Sequence, residues 1–439
     1  MKNRIIAIIL IAIMMISLGA CSSQSVTNQS DTVASGESSA PAETTTAPVE
    51  KTKIVFSFDK GVGDITEKLV SAYNASQDKV TVETIVLPQN ANQVHDDFVT
   101  KLASGDTSVD LMAIDVIWVS EFGAANWLTD LSNEFDQATQ DKYLPGTIEG
   151  AKYQGKLVTF PWFTNASVLF YRKDLLENAG LELPKTYADL MSISDKLVGN
   201  DGIEYGISFQ GALSEAMVCN WVEYVWANGG TILDENGKAV INSAENIEAT
   251  KIMVDLAKDY APKGVTTYTE PESEQVFLEG KAVFHRNWPY VWDKTSAEGS
   301  KVKDKVGFMA LPVGPEGTVG SSCMGGLNFA VNGAIDDKQK AAAIDFIKYM
   351  SGEEGQKVLA LNAFPPALMA TYKDADVLAK VPMFTDFFEI IKNGKPRPLS
   401  PQYPKVSAAI QKYVHQALSG TMTVEEALNA VQKEVELIG

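Results

Sequence analysis

The sequence predicts an α/β fold, because short β-rich segments alternate along the chain with segments of helical periodicity. Strands are expected at residues 54–58, 80–86 and 111–114, where runs of apolar and β-branched residues occur. Helices are expected at 64–74 and near 94–102, between these strands. This alternation is typical of α/β architecture.

Two later helices are indicated by start signals. Thr186 and Asp189 stand three residues apart, the spacing of an N-cap residue and its acidic partner in the first turn. Thr423 and Glu426 repeat that spacing near the end of the chain. In both cases apolar residues follow at helical intervals, so each helix is expected to bury one face.

The first 20 residues predict an export signal. Two basic residues precede an apolar run at 5–16, which is shorter than the roughly 20 residues that span a bilayer as a helix. Gly19 and Ala20 then precede Cys21, so cleavage is expected before Cys21. A cysteine in this position resembles the lipidated cysteine of bacterial lipoproteins, and an ordinary signal peptide is the alternative.

Residues 21–52 are predicted to form a disordered tether. Serine, threonine, alanine and proline dominate them, and such a composition does not bury enough apolar surface to offset the entropy of ordering. Acyl chains on Cys21 would hold the protein to the outer face of the cytoplasmic membrane without a membrane span. Ordered structure is expected from near Lys53.

The charge balance argues against nucleic acid as a partner. The 439 residues include 37 lysines and arginines and 56 aspartates and glutamates, for a formal net charge of −19. A chain this acidic is repelled by a phosphate backbone. The residues that follow the tether are enough for two domains of ordinary size.

The rarer residues predict neither a metal site nor a cofactor. The three histidines, His95, His285 and His415, are scattered without the spacing of metal ligands. Cys219 and Cys323 are far apart in the sequence and are expected to be free thiols, with a disulfide between them as the alternative.

Asp115 directly follows the predicted third strand. Ligands of open α/β sheets bind beyond the carboxyl ends of strands, so this carboxylate is a candidate ligand contact. Aspartate also suits the first position of a helical turn, where it accepts a backbone hydrogen bond. The sequence pattern favours neither interpretation over the other.

Three further segments interleave aromatic and polar residues, which suits a carbohydrate. Sugars present apolar C–H faces ringed by hydroxyl groups, so their sites combine aromatic surfaces with carboxylate, amide and guanidinium groups. Trp288 stands beside Asn287 and Pro289, a loop signal rather than an apolar stripe. The three segments are residues 160–165, 219–226 and 286–292.

Glycines mark two places where backbone can approach a ligand. Gly61 and Gly63 follow the first strand, but neither the dinucleotide-binding nor the P-loop pattern is complete. These glycines are still able to bring a helix N-terminus close to a neutral ligand. Gly325 and Gly326 offer a second such approach.

These segments together resemble the extracellular sugar-binding proteins of ABC importers (solute-binding protein family 1), particularly the trehalose/maltose-binding branch. The resemblance runs from residue 54 to 437 and is specific because five motifs occur in the family's order. The five motifs are residues 115–118, 157–176, 218–230, 286–292 and 396–404.

The resemblance implies a two-lobed fold of the periplasmic-binding-protein type (type II), with a ligand cleft between the lobes. One lobe would comprise residues 53–162 and 309–360. The other would comprise residues 163–308 and 361–439. The connections between the lobes would be crossing strands.

The resemblance also implies a set of site residues. Asp64, Asp115 and Arg397 would bind sugar hydroxyl groups. Trp288 and Tyr290 would supply stacking surfaces, and the Gly325–Gly326 backbone would border the sugar. The other candidates are Trp118, Phe163, Asn165, Trp221, Leu327, Tyr403 and, in place of a family arginine, Gln93 or His95.

Several of these positions depart from the branch. Asn165 replaces the usual aspartate, Leu327 replaces a tryptophan and Phe163 replaces a tyrosine. Gln402 replaces the first tyrosine of the branch's Pro-Tyr-Tyr-Pro motif. A site built for one hydroxyl pattern rejects ligands that leave its polar groups unpaired. We therefore expect a preference that differs from trehalose and maltose.

The function implied is that of a monomeric, non-enzymatic receptor. It would capture a sugar, as a disaccharide or an oligosaccharide, and deliver it to the transmembrane subunits of an ABC permease. Two alternatives stand beside it: a lipid-anchored glycosidase, which needs two carboxyl groups across a cleft, and a surface adhesion protein, which needs no deep aromatic cleft.

Overall fold

Strands alternate with helices at the start of the chain, as the sequence predicts. β1 (Thr52–Asp59), β2 (Val80–Leu87) and β3 (Leu111–Asp115) are separated by α1 (Gly63–Ser76) and α2 (Ala91–Ser104). Each observed element contains the predicted one and extends it by a few residues. The fold class is confirmed as α/β.

The structure is a computed structural model that describes residues 51–234, 238–392 and 394–438. The predicted signal peptide, Cys21 and nearly all of the predicted tether lie outside the described residues. The remaining strands are β4 (Lys152–Tyr153), β5 (Lys156–Leu157), β6 (Phe160–Ala166), β7 (Val168–Arg172), β8 (Tyr205–Ser208), β9 (Ala282–Asn287), β10 (Val306–Met309), β11 (Cys323–Val331) and β12 (Lys395–Pro396).

The remaining α-helices follow in chain order. They are α3 (Val119–Ala124), α4 (Gln137–Gln140), α5 (Pro145–Gly150), α6 (Lys173–Ala179), α7 (Tyr187–Leu197), α8 (Glu215–Ala227), α9 (Ala244–Asp255), α10 (Glu270–Leu278), α11 (Val291–Ser296), α12 (Asp337–Ser351), α13 (Glu353–Leu361), α14 (Ala375–Lys380), α15 (Phe384–Lys392), α16 (Tyr403–Leu418) and α17 (Val424–Glu436).

The larger sheet has the order β12-β11-β3-β1-β2, and β6 also pairs with β11. β1 is parallel to β2 and to β3, as expected for strands joined through helices. β11 returns antiparallel to β3 on one side and to β6 on the other. A register shift between Leu327 and Asn328 interrupts the second of these pairings.

The second sheet has the order β10-β7-β9-β8. β8 and β9 are parallel, whereas β7 is antiparallel to both of its neighbours. Because β6 and β7 are nearly consecutive but belong to different sheets, the chain crosses there from one lobe to the other. The protein is therefore two-lobed, with one sheet in each lobe.

Apolar residues that alternate along the strands fill the core of the first lobe. The Phe56 ring is fully buried and lies 5.9 Å from that of Trp162, 5.8 Å from that of Phe329 and 5.7 Å from that of Phe346. Aromatic pairs at such distances in edge-on or tilted geometry stabilise a core beyond the area that they bury. This cluster fixes β1, β6, β11 and α12 against one another.

The second lobe is organised around α8, which is buried along its whole length. Helices α9 and α16 pack against it, and α17 packs against α16. Both predicted start signals are capping boxes: Thr186 with Asp189 opens α7, and Thr423 with Glu426 opens α17. The two helices begin where the sequence predicts.

The chain after α13 contributes to both lobes. α14 packs against α13, and α15 packs against β6, both in the first lobe. α16 and α17 belong to the core of the second lobe. Among the described residues, no helix combines the length and hydrophobicity that a membrane crossing requires.

Replacing Gly326 by alanine is expected to destabilise the fold. Gly326 has a φ of +132°, and an added Cβ would lie 2.3 Å from the carbonyl oxygen of Phe163 on the paired strand. A strained backbone of this kind costs about 1–3 kcal/mol, and the clash adds to it. Urea unfolding of Gly326→Ala should show this loss.

Gly325→Ala is the matched control for this measurement. The nearest atoms to an added Cβ at Gly325 lie at 3.7 Å, which is ordinary contact. We expect the free energy of unfolding to stay within about 0.5 kcal/mol of the unmodified protein. Equal losses in the two variants would contradict the role assigned to the Gly326 backbone.

Candidate functional site

The register of the first sheet brings predicted site residues together. At the end of β3, Asp115 pairs with Leu327 on β11, and Leu327 pairs with Phe163 on β6. Two residues earlier on β11, Gly325 pairs with Asn165. Residues from three segments far apart in the sequence therefore form one contiguous patch at a sheet edge.

This patch forms one wall of a cavity of about 160 Å³. Its other walls come from the ends of β1, β2 and β9 and from the starts of α8 and α10. The lining residues are Asp59, Gly61, Val62, Gln89, Asn90, Ala91, Val94, Ala113, Asp115, Trp118, Phe163, Asn165, Ser214, Glu215, Ala216, Cys219, Thr269, Glu270, Trp288, Tyr290, Gly325, Gly326, Leu327, Phe364 and Arg397.

The position of the cavity follows from strand direction. Asp59 ends β1, Asp115 ends β3 and Gln89 closely follows β2, and these three strands are parallel. In the second lobe, Trp288 directly follows β9. The carboxyl ends of parallel strands from both lobes thus meet one cavity, where open α/β sheets bind their ligands.

Ten of the fourteen predicted ligand-binding residues line this cavity. They are Asp115, Trp118, Phe163, Asn165, Trp288, Tyr290, Gly325, Gly326, Leu327 and Arg397. For Asp115 the cap interpretation is confirmed, and its role as a ligand contact stays a prediction. It accepts a hydrogen bond from the Ile117 N–H (3.1 Å) as the cap of a short 3-10 turn, and it also faces Arg397.

Asp64 and Gln93 lie outside the cavity. Asp64 is exposed in the first turn of α1 and borders a shallow surface hollow. Gln93 is exposed on α2. His95, the alternative to Gln93, places Nε2 2.7 Å from Glu121 Oε2, and its ring lies 5.4 Å from the ring of Trp118 in a tilted arrangement. His95 therefore packs against Trp118, which lines the cavity, without lining the cavity itself.

Trp221 and Tyr403 are also outside the lining, because both are fully buried. The Trp221 indole donates to Thr250 Oγ1 (2.8 Å) within the core of the second lobe. α8 is buried on all faces, so a tryptophan in its middle is a core residue. The Tyr403 hydroxyl donates to Glu215 Oε1 (2.7 Å) and acts on the cavity through that carboxylate.

Arg397 links the two walls of the cavity. Its Nη1 donates to Glu215 Oε1 (2.6 Å) at the start of α8. Its Nη2 lies 3.4 Å from Asp115 Oδ1 and 3.4 Å from the Met324 carbonyl oxygen. Arg397 is 2 % exposed, so these partners, and not water, stabilise its positive charge. Ser407 also donates a hydrogen bond to Glu215.

A second buried guanidinium supports Trp288. The Cζ of Arg286 lies 4.5 Å from the centroid of the Trp288 ring. Its Nε and Nη2 bind the two carboxylate oxygens of Glu223 at 2.7 and 2.5 Å, and Nη1 donates to Gln210 (2.9 Å). A bidentate pair of this kind is rigid, so the indole is held in a fixed orientation.

Tyr290 and Phe364 form another aromatic surface. Their rings are stacked with centroids 5.9 Å apart and an interplanar angle of 14°. The Tyr290 hydroxyl donates to Glu274 Oε2 (3.0 Å), and Lys294 Nζ lies 4.8 Å from the centre of the Tyr290 ring. Aromatic rings fixed in this way suit the apolar faces of a sugar.

Three carboxyl groups of the cavity have raised pKa values. Burial, together with the charges of Glu270 and Asp115, raises the pKa of Asp59 to about 6, although a hydrogen bond from the Gly61 N–H opposes the shift. Burial also raises the pKa of Asp115, against the effect of Arg397. Burial raises the pKa of Glu270, against the effect of Arg286.

Polar atoms without partners also occur in the lining. Among the described residues, Asn165 Oδ1 and Arg397 Nε are buried and have no hydrogen-bond partner. Buried polar atoms are normally paired, since an unpaired one costs free energy. One acceptor and one donor beside the same cavity are the groups that a ligand with hydroxyl groups satisfies.

Seven polar residues of the lining were not predicted from the sequence: Asp59, Gln89, Asn90, Ser214, Glu215, Thr269 and Glu270. Asp59 ends β1 just as Asp115 ends β3, so the rule applied to Asp115 also identifies Asp59. The signal for the two glutamates is weaker, because an acidic residue at the start of a helix is common on structural grounds alone.

Cys219 and Cys323 are both free, as predicted, and both are buried. Within the described ranges, no group of three or more histidine, cysteine, aspartate or glutamate side chains is arranged to hold a metal ion. The prediction that the protein uses neither metal nor cofactor stays a prediction.

Known proteins share this fold and much of this sequence. Residues 60–357 match the profile of the family described as bacterial extracellular solute-binding protein. A probable ABC transporter-binding protein of Deinococcus radiodurans is 32% identical over 368 residues, covering 82% of this chain and 86% of that protein.

Two solved structures are similar over almost the whole described chain. Maltose-bound MalE3 of T. maritima has a TM-score of 0.85 and 36% sequence identity, covering 88% of this chain and 100% of that one. An ABC transporter solute-binding protein of Agrobacterium radiobacter in complex with ribitol has a TM-score of 0.83 and 26% identity, covering 90% and 100%. The chain belongs to the bacterial extracellular solute-binding proteins.

Proposed function

We propose that the protein is the substrate-capturing receptor of an ABC importer and that it binds a sugar in the cavity between its lobes. The observation that carries this proposal is the composition of the lining, in which fixed aromatic rings face carboxylates, an amide and a guanidinium. The similar structures that hold maltose and ribitol support the same ligand class.

The receptor mechanism follows from the placement of the contacts. Asp59 and Asp115 belong to the first lobe, and Glu270 and Trp288 belong to the second. A sugar that contacts both groups stabilises the arrangement in which the lobes are close together, because it makes all its contacts only there. The closed receptor would then dock on the transmembrane subunits of the permease, as a monomer and without enzymatic turnover.

The lobe boundaries predicted from the sequence remain our proposal, with changes at three places. Residues 163–166 are reassigned to the first lobe, because β6 runs to Ala166 and pairs with β11. α14 and α15 pack against α13 and β6, which favours assigning residues 361–392 to the first lobe. The rest of the chain after residue 392 stays with the second lobe, apart from β12, which pairs with β11.

The N-terminal segment is proposed to be a lipid anchor and a tether. Cleavage before Cys21 and acylation of its thiol would place the receptor on the outer face of the cytoplasmic membrane. The Ser/Thr-rich segment 21–52 would then let the receptor move while it stays beside its permease.

A ligand screen tests the proposed function. A ligand that binds the native state at 100 times its Kd stabilises it by about 2.7 kcal/mol. We therefore expect at least one member of a panel of saccharides and sugar alcohols to raise the melting temperature, without release of new reducing ends. No shift across the panel would contradict sugar binding.

The panel includes maltose and trehalose as a test of specificity. Because Asn165, Leu327 and Phe163 depart from the trehalose/maltose-binding branch, we expect another sugar to bind more tightly than either. Micromolar affinity for maltose or trehalose by calorimetry would contradict this expectation and leave the receptor function standing.

Gly325→Ala locates the binding event in the cavity. The added methyl group makes only ordinary contacts with the protein, 3.7 Å from Trp288 Cη2 and Arg397 Nη2, but it lies within the cavity, where a ligand would bind. Inserting one methyl group into a packed contact costs about 1–3 kcal/mol. The affinity for the identified sugar should fall about tenfold while the melting temperature without ligand stays unchanged.

The affinity should also depend on pH through Asp59. A sugar hydroxyl donates to an ionised carboxylate, so binding favours the ionised form. Since the pKa of Asp59 is raised to about 6, affinity should be highest above pH 6. It should fall as the pH drops through that value, by up to about tenfold per unit for a single proton.

Asp59→Asn is the variant that tests this dependence, with Asp78→Asn, on an exposed turn, as its control. The fall in affinity between pH 7 and pH 5 should be shallower in Asp59→Asn than in the other two proteins. Asp115 and Glu270, whose charges act on Asp59, account for the slope that remains. An identical profile in all three proteins would contradict the assignment.

Cys21→Ser tests the anchor separately from the receptor. The variant should appear in the culture medium, support less sugar uptake by cells and keep its affinity for the sugar. Loss of affinity in the released protein would show that anchor and receptor are not independent.

A further inference from the structure

We propose that the cavity is specific for uncharged sugars and excludes acidic ones, such as uronates and aldonates. This inference rests on the proposed function and adds the charge class of the ligand. It is drawn from the charges of the lining, from the engagement of its single cation and from the polar atoms left for a ligand.

The lining carries more negative than positive groups. Four carboxyl groups border the cavity: Asp59, Asp115, Glu215 and Glu270. Among the described lining residues, Arg397 is the only lysine, arginine or histidine. A ligand carboxylate would therefore enter a buried site in which like charges outnumber the opposite charge.

Arg397 is already committed to protein partners. Its Nη1 is taken by Glu215 (2.6 Å), and its Nη2 lies between Asp115 and the Met324 carbonyl oxygen, each at 3.4 Å. Only Nε is without a partner. A ligand carboxylate needs two parallel N–H groups for a bidentate pair, which here means displacing Glu215 or Asp115 and leaving that carboxylate buried and unpaired.

The guanidinium group of Arg286 is also not available to bind a ligand carboxylate. Arg286 binds both carboxylate oxygens of Glu223 and the side chain of Gln210, and it packs over the ring of Trp288. It is 3 % exposed and is not part of the lining. Its N–H groups are therefore engaged by Glu223 and Gln210 and do not reach a ligand carboxylate.

Two residues of the lining, Asp59 and Asn165, offer oxygen atoms as hydrogen-bond acceptors. Asp59 accepts a hydrogen bond from the Gly61 N–H through Oδ1 at 2.6 Å, and its carboxylate has a second oxygen that also accepts. Asn165 Oδ1 has no partner at all. Neutral sugar hydroxyl groups donate to such atoms, whereas an ionised carboxylate has no proton to donate.

Paired ligands test the inference. Calorimetry at pH 7.5 would compare D-glucose with D-glucuronate, D-galactose with D-galacturonate, and maltose and cellobiose with their aldonates. The tightest ligand should be neutral, and its acidic counterpart should bind at least 30-fold more weakly. A smaller gap, or an acidic sugar as the tightest ligand, would overturn the inference and leave the receptor function standing.

The absence of binding by any member of this panel and of the wider sugar screen has a different meaning. It would overturn the proposed function itself, and this inference with it. The two failures are therefore distinguishable in the same data.

Charge-neutralising variants identify the cause of the discrimination. Asp59→Asn and Glu270→Gln each remove one negative charge from the lining with almost no change of shape. Either variant should reduce the ratio of the Kd of the acidic sugar to the Kd of the neutral sugar about tenfold. Two variants are used so that the result does not depend on the folding of one, which thermal unfolding checks.

Asp78→Asn and Glu182→Gln are the matched controls, because both residues are exposed and lie outside the cavity lining. They change the net charge of the protein by the same amount and should leave this ratio of Kd values unchanged. If the cavity variants leave the ratio of Kd values as large as the controls do, charge in the lining does not cause the discrimination and the inference is wrong.

Discussion

The arrangement of the cavity depends on one buried guanidinium. Arg397 joins Glu215 at the start of α8 to Asp115 at the end of β3, and its Nη2 also approaches the backbone of β11. Removing one partner from a buried pair typically costs about 3–5 kcal/mol, since the remaining charge is left without compensation. The two lobes are therefore held in register at the point where the ligand is expected.

Charged groups that have their own partners also fix the aromatic surfaces of the cavity. Arg286 is fixed by Glu223 and in turn orients Trp288, while Glu274 binds the hydroxyl group of Tyr290. Trp288 and Tyr290 are thus each held by a charged group that has its own partner. A site whose side chains are already ordered loses less conformational entropy on binding, so more of each contact appears as affinity.

Local patterns predicted the α/β class and several elements, and the family resemblance implied the two lobes. The site could be predicted only in part. Asp115 was identifiable because the end of an apolar strand is visible in the sequence, and the same rule reaches Asp59. Trp221 was misplaced because an aromatic residue among polar neighbours looks alike in a loop and in a fully buried helix. Glu215 was invisible, since its role comes from Arg397, which is 182 residues away along the chain.

The contrast between Asp115 and Asp64 shows what the sequence lacks. Both are aspartates near the amino end of a helical segment that follows a strand, and the family resemblance gave both the same role. Asp115 is the last residue of its strand, so its side chain faces the cavity at the sheet edge. Asp64 comes after the Lys60–Val62 turn and lies exposed on α1. The three-residue turn carries Asp64 away from the sheet edge, and only the path of the backbone shows this difference between the two aspartates.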